Sequence, residues 1–175
     1  DNNLVTTDSF YYSYCPITKI SINMIEAVIS TEDKNFYKHI GFDYLRIIKA
    51  LGVNIKNGGN IQGASTISQQ YSKNLFLDFD KTWERKLNEA WITIQIESHY
   101  TKDEILEGYL NTINYGGVFG IENASYYYFN KSSNELNLAE ASMLAGIPKS
   151  PSNYSPLTNI ENAKKRQKII LNANV

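Results

Sequence analysis

The segment STEDKNFYKHIGFD, residues 30–43, concentrates side chains that can perform acid–base or metal chemistry. Glu32 and Asp33 are adjacent carboxylates, and Phe36 and His39 follow Glu32 by four and seven residues. Three interpretations are open: an acidic helix end facing water, half of a metal site, or a catalytic carboxylate at a cleft. Taken alone, the segment favours the solvated helix end, because carboxylates are mostly exposed in folded proteins.

The residues before this segment determine how Glu32 is presented. Ile22, Ile25 and Ile29 recur at helical spacing and predict an amphipathic helix that ends at the acidic pair. Glu32 would then leave a packed helix partly shielded from water, where a carboxylate accepts a proton more readily than in bulk solvent. This position makes Glu32 a candidate general base.

A metal site is the weaker interpretation of the same segment. His39 and His99 are the only histidines, and neither has the spacing of a metal-binding motif. Cys15 is the only cysteine, which excludes an internal disulfide and a cysteine-based metal site. We therefore expect no metal ligands here, and we expect His39 to be a structural hydrogen-bonding residue before Gly41.

Two further clusters could hold an anionic ligand. In GASTISQQYSKN, residues 63–74, Ser65, Gln69 and Lys73 are four residues apart and would share one helix face. That face is either a ligand-binding surface of donors or an ordinary polar surface, and the pattern does not choose between them.

The second cluster is RKLNE, residues 85–89, in which Arg85 and Lys86 flank Glu89 at helical spacing. A surface ion pair is the commoner meaning of such a pattern. The functional alternative is a phosphate clamp oriented by the carboxylate.

The composition indicates a single folded domain over residues 1–175. Of its 175 residues 42% are hydrophobic and 20% are charged, and the net charge of −1 gives no support to a nucleic-acid partner. The basic run KKRQK, residues 164–168, is expected to be a solvated helix face. No apolar run reaches the ~18 residues that a membrane-spanning helix needs.

Helical periodicity and capping signals predict a mainly α-helical domain. The predicted N-terminal caps include two capping boxes, Thr101 with Glu104 and Asn137 with Glu140. Three weaker boundaries, at Asp43, Ser65 or Thr66, and Thr82, would open the second, third and fourth helices. We expect an irregular connection at PKSPSNYSP, residues 148–156, a Gly-rich loop over residues 57–64, and a strand within the first fifteen residues.

The order and spacing of these segments resemble the peptidoglycan glycosyltransferases, which include monofunctional enzymes and the N-terminal domain of class A penicillin-binding proteins. The resemblance covers nearly the whole chain and rests on five motifs in the family's order. The matching segments are EDKNFYKHIG, GASTISQQYSKN, RKLNE, KDEILEGYLN and RQKIIL. One motif alone would be weak, and five in order are a strong signal.

The resemblance implies a lysozyme-like helical fold with a larger head and a smaller membrane-facing jaw. It also implies polymerisation of lipid II, in which polyprenyl pyrophosphate leaves during inverting β-1,4 glycosyl transfer. Glu32 would be the general base and Glu89 the second essential carboxylate. Asp33, Phe36 and His39 would support the base. The residues that would bind substrate or pyrophosphate are Ser65, Gln69, Lys73, Asn74, Lys81, Arg85 and Lys86.

The same resemblance implies the surroundings of the enzyme. No cofactor is required, and a divalent cation, Mg²⁺ or Mn²⁺, would be an assistant only. The expected partners are lipid II, the growing glycan chain, the membrane surface, a C-terminal transpeptidase domain and proteins of cell-wall synthesis or division. The expected location is the outer face of the bacterial cell membrane, with the anchor absent from this chain.

One departure and two alternatives stay open at this point. Lys81 stands where many family members have Arg, and Lys supplies the charge without the bidentate fork. A lytic enzyme that cuts finished glycan would need an acid at Glu32 and has no use for the cations of RKLNE. A module that binds lipid-linked pyrophosphate without turnover would not need Glu32.

Overall fold

The computed structural model describes residues 13–45, 48, 65–75 and 83–173. Short 3-10 turns occur at Ile17–Lys19, Phe36–Lys38 and Ser133–Glu135. The α-helices bounded within these ranges are α1 (Ile22–Glu32), α2 (Ile67–Leu75), α3 (Trp83–His99), α4 (Lys102–Thr112), α5 (Ile121–Phe129), α6 (Leu138–Gly146), α7 (Pro151–Tyr154) and α8 (Ile160–Ala173).

Two helices begin where the capping signals placed them. The Thr101 side chain accepts a hydrogen bond from the Glu104 backbone N–H, and the Glu104 side chain accepts one from the Thr101 N–H, so α4 starts with a full capping box. Asn137 and Glu140 make the same reciprocal pair at α6. Each box satisfies two backbone donors that a helix start leaves unpaired.

The helices pack in two groups that share one hydrophobic core. α6 packs against α1 and α8, while α2 packs against α3 and α4. The largest side chains without solvent exposure include Met24 on α1, Ile67 on α2, Tyr109 on α4 and Leu144 on α6. α1 therefore ends beside both groups, which places its last residue, Glu32, between α2 and α8.

The mainly α-helical prediction is confirmed. The described residues contain no strand, and only an isolated bridge pairs Asn114 with Phe119. The prediction of an irregular segment at 148–156 is wrong in part, because the short helix α7 forms there with Pro151 in its first turn. None of the described helices is long and apolar enough to cross a membrane.

Several predictions lie wholly or partly outside the described residues. They are the N-terminal strand, most of the helix after Asp43, the Gly-rich loop at 57–64, and the cap at Thr82. Residues 44, 45 and 48 are helical. The division into head and jaw stays a prediction.

The segment before α1 is held by one face of α4. The Asn111 side chain accepts from the Cys15 N–H at 2.8 Å and donates to the Cys15 carbonyl at 2.9 Å, as a neighbouring strand would. Glu107, one turn earlier, accepts from the Ile17 N–H at 2.6 Å. The KDEILEGYLN segment thus anchors the chain that leads into α1.

We expect Asn111→Ala to lower the free energy of unfolding by about 2–3 kcal/mol. The Asn111 side chain is buried, and its removal leaves both backbone groups of Cys15 without this partner. Denaturant unfolding measures the effect, and Asn172→Ala, at an exposed position of α8, is the control. Equal midpoints for the two variants would contradict the anchoring role.

Candidate active site

Glu32 is the last residue of α1, and its carboxylate lies between two other helices. Its Oε2 atom accepts a hydrogen bond from Gln70 Nε2 on α2 at 3.1 Å. Its Oε1 atom lies 3.8 Å from Arg166 Nη2 on α8. The side chain is 13% exposed, so it is largely shielded yet still reachable from solvent. The interpretation of Glu32 as a solvated helix end does not fit this environment.

Asp33, in contrast, has no solvent exposure and is fully engaged by the protein. Its Oδ2 atom accepts from the Ile67 N–H at 3.0 Å, which is a backbone donor of the first turn of α2. The same oxygen lies 2.9 Å from His39 Nε2. A carboxylate at a helix N-terminus is stabilised by the unpaired N–H groups and the helix dipole. Asp33 therefore docks α2 onto the end of α1.

His39 and Phe36 complete the packing around Asp33. His39 Nδ1 is buried and has no hydrogen-bond partner in the described part of the chain, which assigns the proton of a neutral ring to Nε2, the donor to Asp33. Phe36 is fully buried, stands edge-on to His39, and lies 4.6 Å from the Lys102 ammonium. These contacts hold the turn that follows Glu32.

The face predicted for Ser65, Gln69 and Lys73 is not a common ligand-facing surface. Lys73 is exposed, but Gln69 is buried and turns back on its own helix start, where its Oε1 atom accepts from the Thr66 N–H at 3.0 Å. The assignment of Gln69 as a ligand-binding side chain stays a prediction, although its oxygen is engaged by the Thr66 N–H here. The neighbouring Gln70 points toward Glu32 instead.

The RKLNE segment lies in the first half of α3. Lys86 forms an ion pair with Glu89, whose side chain is 6% exposed while that of Lys86 is 48% exposed. Arg85 is half-buried. A buried carboxylate that holds a neighbouring cation in place fits an oriented clamp better than a loose surface pair. Ser65 and Asn74 are half-buried, and Lys81 lies outside the described residues.

A basic cavity of about 440 Å³ opens beside Arg166. Its lining is Lys149, Asn153, Tyr154, Asn162, Lys165, Arg166 and Ile169, without an acidic residue. Gly146 on α6 leaves room for Arg166, since a Cβ atom there would lie 2.9 Å from Arg166 Cγ. The prediction that KKRQK is a solvated helix face is therefore wrong at Arg166, which reaches inward. Lys164 and Lys168 are exposed, as predicted.

Comparison with known proteins shows the family of the chain. The family model described as Transglycosylase matches residues 2–175. The chain belongs to the transglycosylase family. It is 54% identical over 159 residues to penicillin-binding protein 2D of Bacillus subtilis (strain 168), a match of 90% of this chain and 23% of that protein. The resemblance drawn from the five motifs is confirmed.

Two other relatives come from different organisms and match a similar share of this chain. Penicillin-binding protein 1A of Neisseria cinerea is 51% identical over 147 residues, covering 83% of this chain and 18% of the relative. Penicillin-binding protein 1A of Aquifex aeolicus (strain VF5) is 45% identical over 159 residues, covering 90% and 22%. The chain spans about a fifth of the length of these relatives. It is a transglycosylase domain, as the motifs predicted.

The transglycosylase motifs led to the right segments but missed two side chains that contact Glu32. Gln70 was passed over because the four-residue spacing from Ser65 selected Gln69. The RQKIIL motif contains Arg166 but assigns it no role, although an Arg among lysines is a signal for a planar fork that pairs with a carboxylate. Among the described residues no three His, Cys, Asp or Glu side chains cluster as a metal site.

Proposed function

We propose that this transglycosylase domain polymerises lipid II into glycan strands, with polyprenyl pyrophosphate as the leaving group. The observation that carries the proposal is the position of Glu32. Its carboxylate is shielded but reachable, and it receives a hydrogen bond from Gln70 on one oxygen and faces Arg166 on the other. A carboxylate that can be reached in this way can accept the proton of a reacting hydroxyl.

In the proposed reaction Glu32 removes the proton from the 4-hydroxyl of the acceptor sugar. The hydroxyl oxygen attacks C1 of the donor from the face opposite the pyrophosphate. The C1–oxygen bond to pyrophosphate breaks, and its electron pair leaves with the pyrophosphate. The new β-1,4 bond has inverted geometry, and the proton rests on Glu32 until water takes it.

The cations of α2 and α3 are the proposed site for the developing negative charge. Lys73, Arg85 and Lys86 stabilise the leaving pyrophosphate, and Glu89 fixes Lys86 through their ion pair. A cation held in place before the reaction stabilises transition-state charge without reorganising. We expect Ser65, Asn74 and Lys81 to contribute further polar contacts, and a divalent cation to be an assistant at most.

The basic cavity is connected to Glu32 through Arg166, which lines the cavity and faces the carboxylate. Lys149 and Lys165 also line the cavity. The acceptor substrate carries acidic groups of its own, in its pyrophosphate and in its peptide. We propose that this cavity receives one of them, which would bring the attacking hydroxyl to Glu32.

An apolar surface supports the proposal of a membrane-bound substrate. Leu87, Trp91 and Ile94 form a stripe on α3 that is 49–69% exposed rather than buried. Ile94 shares a groove with Ile40 and Tyr44, which are 78% and 66% exposed. Adjoining apolar side chains with a Trp and a Tyr are typical of a surface that lies in a lipid interface.

We expect Trp91→Ser to weaken binding to phosphatidylcholine vesicles by about three- to tenfold, since the variant loses the largest apolar side chain of the stripe. Co-sedimentation at increasing lipid concentration measures the partition. Tyr126→Ser, which removes an exposed aromatic residue from α5, is the matched control and should bind as the wild type does. Equal losses in both variants would exclude a specific lipid-facing surface on α3.

The direct test of function is incubation of the protein with lipid II in detergent, followed by gel separation of the products. Long glycan chains that lysozyme digests are expected. Release of soluble muropeptides from purified cell wall would instead support the lytic alternative. Lipid II binding without turnover would support the binding module. The relatives are four to five times longer than this chain, so a transpeptidase domain and division proteins as partners stay predictions about a longer protein.

A further inference from the structure

Glu32 is linked to the core by a chain of two hydrogen bonds. The Tyr109 hydroxyl on α4 donates to Gln70 Oε1 at 3.2 Å. Gln70 Nε2 on α2 donates to Glu32 Oε2 at 3.1 Å. Three helices thus meet through one amide, and neither Gln70 nor Tyr109 has been given a role in the reaction so far.

The donor and acceptor groups of the three side chains permit only one direction of hydrogen bonding along this chain. An amide donates only through its NH₂ group and accepts only through its oxygen, while an ionised carboxylate only accepts. Gln70 must therefore present its nitrogen to Glu32, which requires a donor at its oxygen. The Tyr109 hydroxyl is that donor, so it stabilises the orientation in which the amide nitrogen faces the carboxylate.

Tyr109 is suited to act as a permanent donor. The residue has no solvent exposure, and burial raises the pKa of its hydroxyl well above the usual range, with a further rise from the charge of Glu32. The hydroxyl consequently keeps its proton at neutral pH and remains a donor. A serine or a water molecule in this place could turn, whereas the buried ring of Tyr109 cannot.

The close approach of α2 to α4 is built into the sequence at Gly108. A Cβ atom on Gly108 would lie 2.4 Å from the ring of Tyr71, so only glycine lets Tyr71 lie this close to α4. Tyr71 follows Gln70 directly on α2. The contact therefore lets α2 lie close enough to α4 for the Gln70 side chain to reach the Tyr109 hydroxyl.

We propose that Tyr109 and Gln70 are positioning residues for the reaction, which orient the carboxylate of Glu32. The inference rests on the proposed role of Glu32 as the base. Without the hydroxyl, the Gln70 amide can turn and point its oxygen at the carboxylate. That arrangement repels the charged form of Glu32 and disorders the side chain, while the substrate-binding cations stay in place.

The test compares Tyr109→Phe with Tyr115→Phe. Tyr115 is an equally buried tyrosine whose hydroxyl has no hydrogen-bond partner in the described part of the chain, so its removal changes the core without touching Glu32. For Tyr109→Phe we expect kcat to fall about tenfold. KM for lipid II should stay within about twofold of the wild-type value. The acidic limb of the kcat–pH profile should move to higher pH by about half a unit to one unit. Tyr115→Phe should match the wild type in all three.

A double-mutant cycle with Gln70→Met separates positioning from general loss of packing. If Tyr109 acts through Gln70, the double variant is no worse than Gln70→Met alone, because the amide that Tyr109 orients is already gone. Additive losses, an unmoved acidic limb in Tyr109→Phe, or equal effects of Tyr115→Phe would each overturn the proposal.

A measurement without substrate keeps this inference separate from the proposed function. The carboxyl carbon of Glu32 can be followed by NMR in the full chain as pH is lowered. It should titrate at higher pH in Tyr109→Phe than in the wild type and in Tyr115→Phe. Unchanged titration overturns the positioning role. A wild-type protein that makes no glycan overturns the proposed function, but the NMR titration still decides whether Tyr109 positions Glu32.

Discussion

Glu32→Gln is expected to abolish glycan formation from lipid II, with turnover lower by about a thousandfold. Gln has nearly the same shape as Glu but cannot take the proton of the attacking hydroxyl. The substituted side chain can still accept from Gln70, because its carbonyl oxygen can occupy the position of Oε2. The fold should survive, since the residue ends α1 and its side chain is 13% exposed.

The measurement is single-turnover and steady-state conversion of lipid II, together with binding of lipid II to the variant. Glu26→Gln is the matched control, because Glu26 is an exposed carboxylate on the same helix. It should retain wild-type turnover. A Glu32→Gln variant that binds lipid II and still polymerises it at more than a tenth of the wild-type rate would exclude Glu32 as the base.

Asp33→Ala is expected to have the largest effect on stability, about 3–5 kcal/mol in the free energy of unfolding. The substitution leaves two buried donors, the Ile67 N–H and His39 Nε2–H, without their acceptor. It also removes the negative charge from the start of α2, where the helix dipole favours it. Thermal and denaturant unfolding measure the loss.

Asp33→Asn is the informative companion variant. Its amide oxygen can take the place of Oδ2 as an acceptor, while its NH₂ group replaces Oδ1 beside His39, so it should be destabilised less than Asp33→Ala. At a temperature where both Asp33→Asn and Glu32→Gln are folded, Asp33→Asn should retain far more turnover. The opposite order, a stable Asp33→Asn without activity beside an active Glu32→Gln, would transfer the role of base to Asp33.

Much of the fold follows from local sequence signals. The capping boxes at Thr101 and Asn137 fix helix starts because their hydrogen bonds are made within four residues. The stripe at Ile22, Ile25 and Ile29 correctly places a helix that ends at the acidic pair. Such signals depend on neighbouring residues alone, and so they can be interpreted without knowledge of the tertiary structure. The proline-rich stretch was harder, since Pro151 is compatible with both an irregular segment and a first helical turn.

The motifs, with their residue types and order, also determined the family and the candidate base. Which acid of the pair is shielded and reachable, and which is buried, was decided by the tertiary structure: α2 starts on Asp33, while Glu32 faces Gln70 and Arg166. Spacing selected Gln69 over Gln70, because a four-residue repeat describes a face of one helix and contains no information about its neighbours. The partners of Glu32 come from α2 and α8, and only the packing of those helices brings them to one carboxylate.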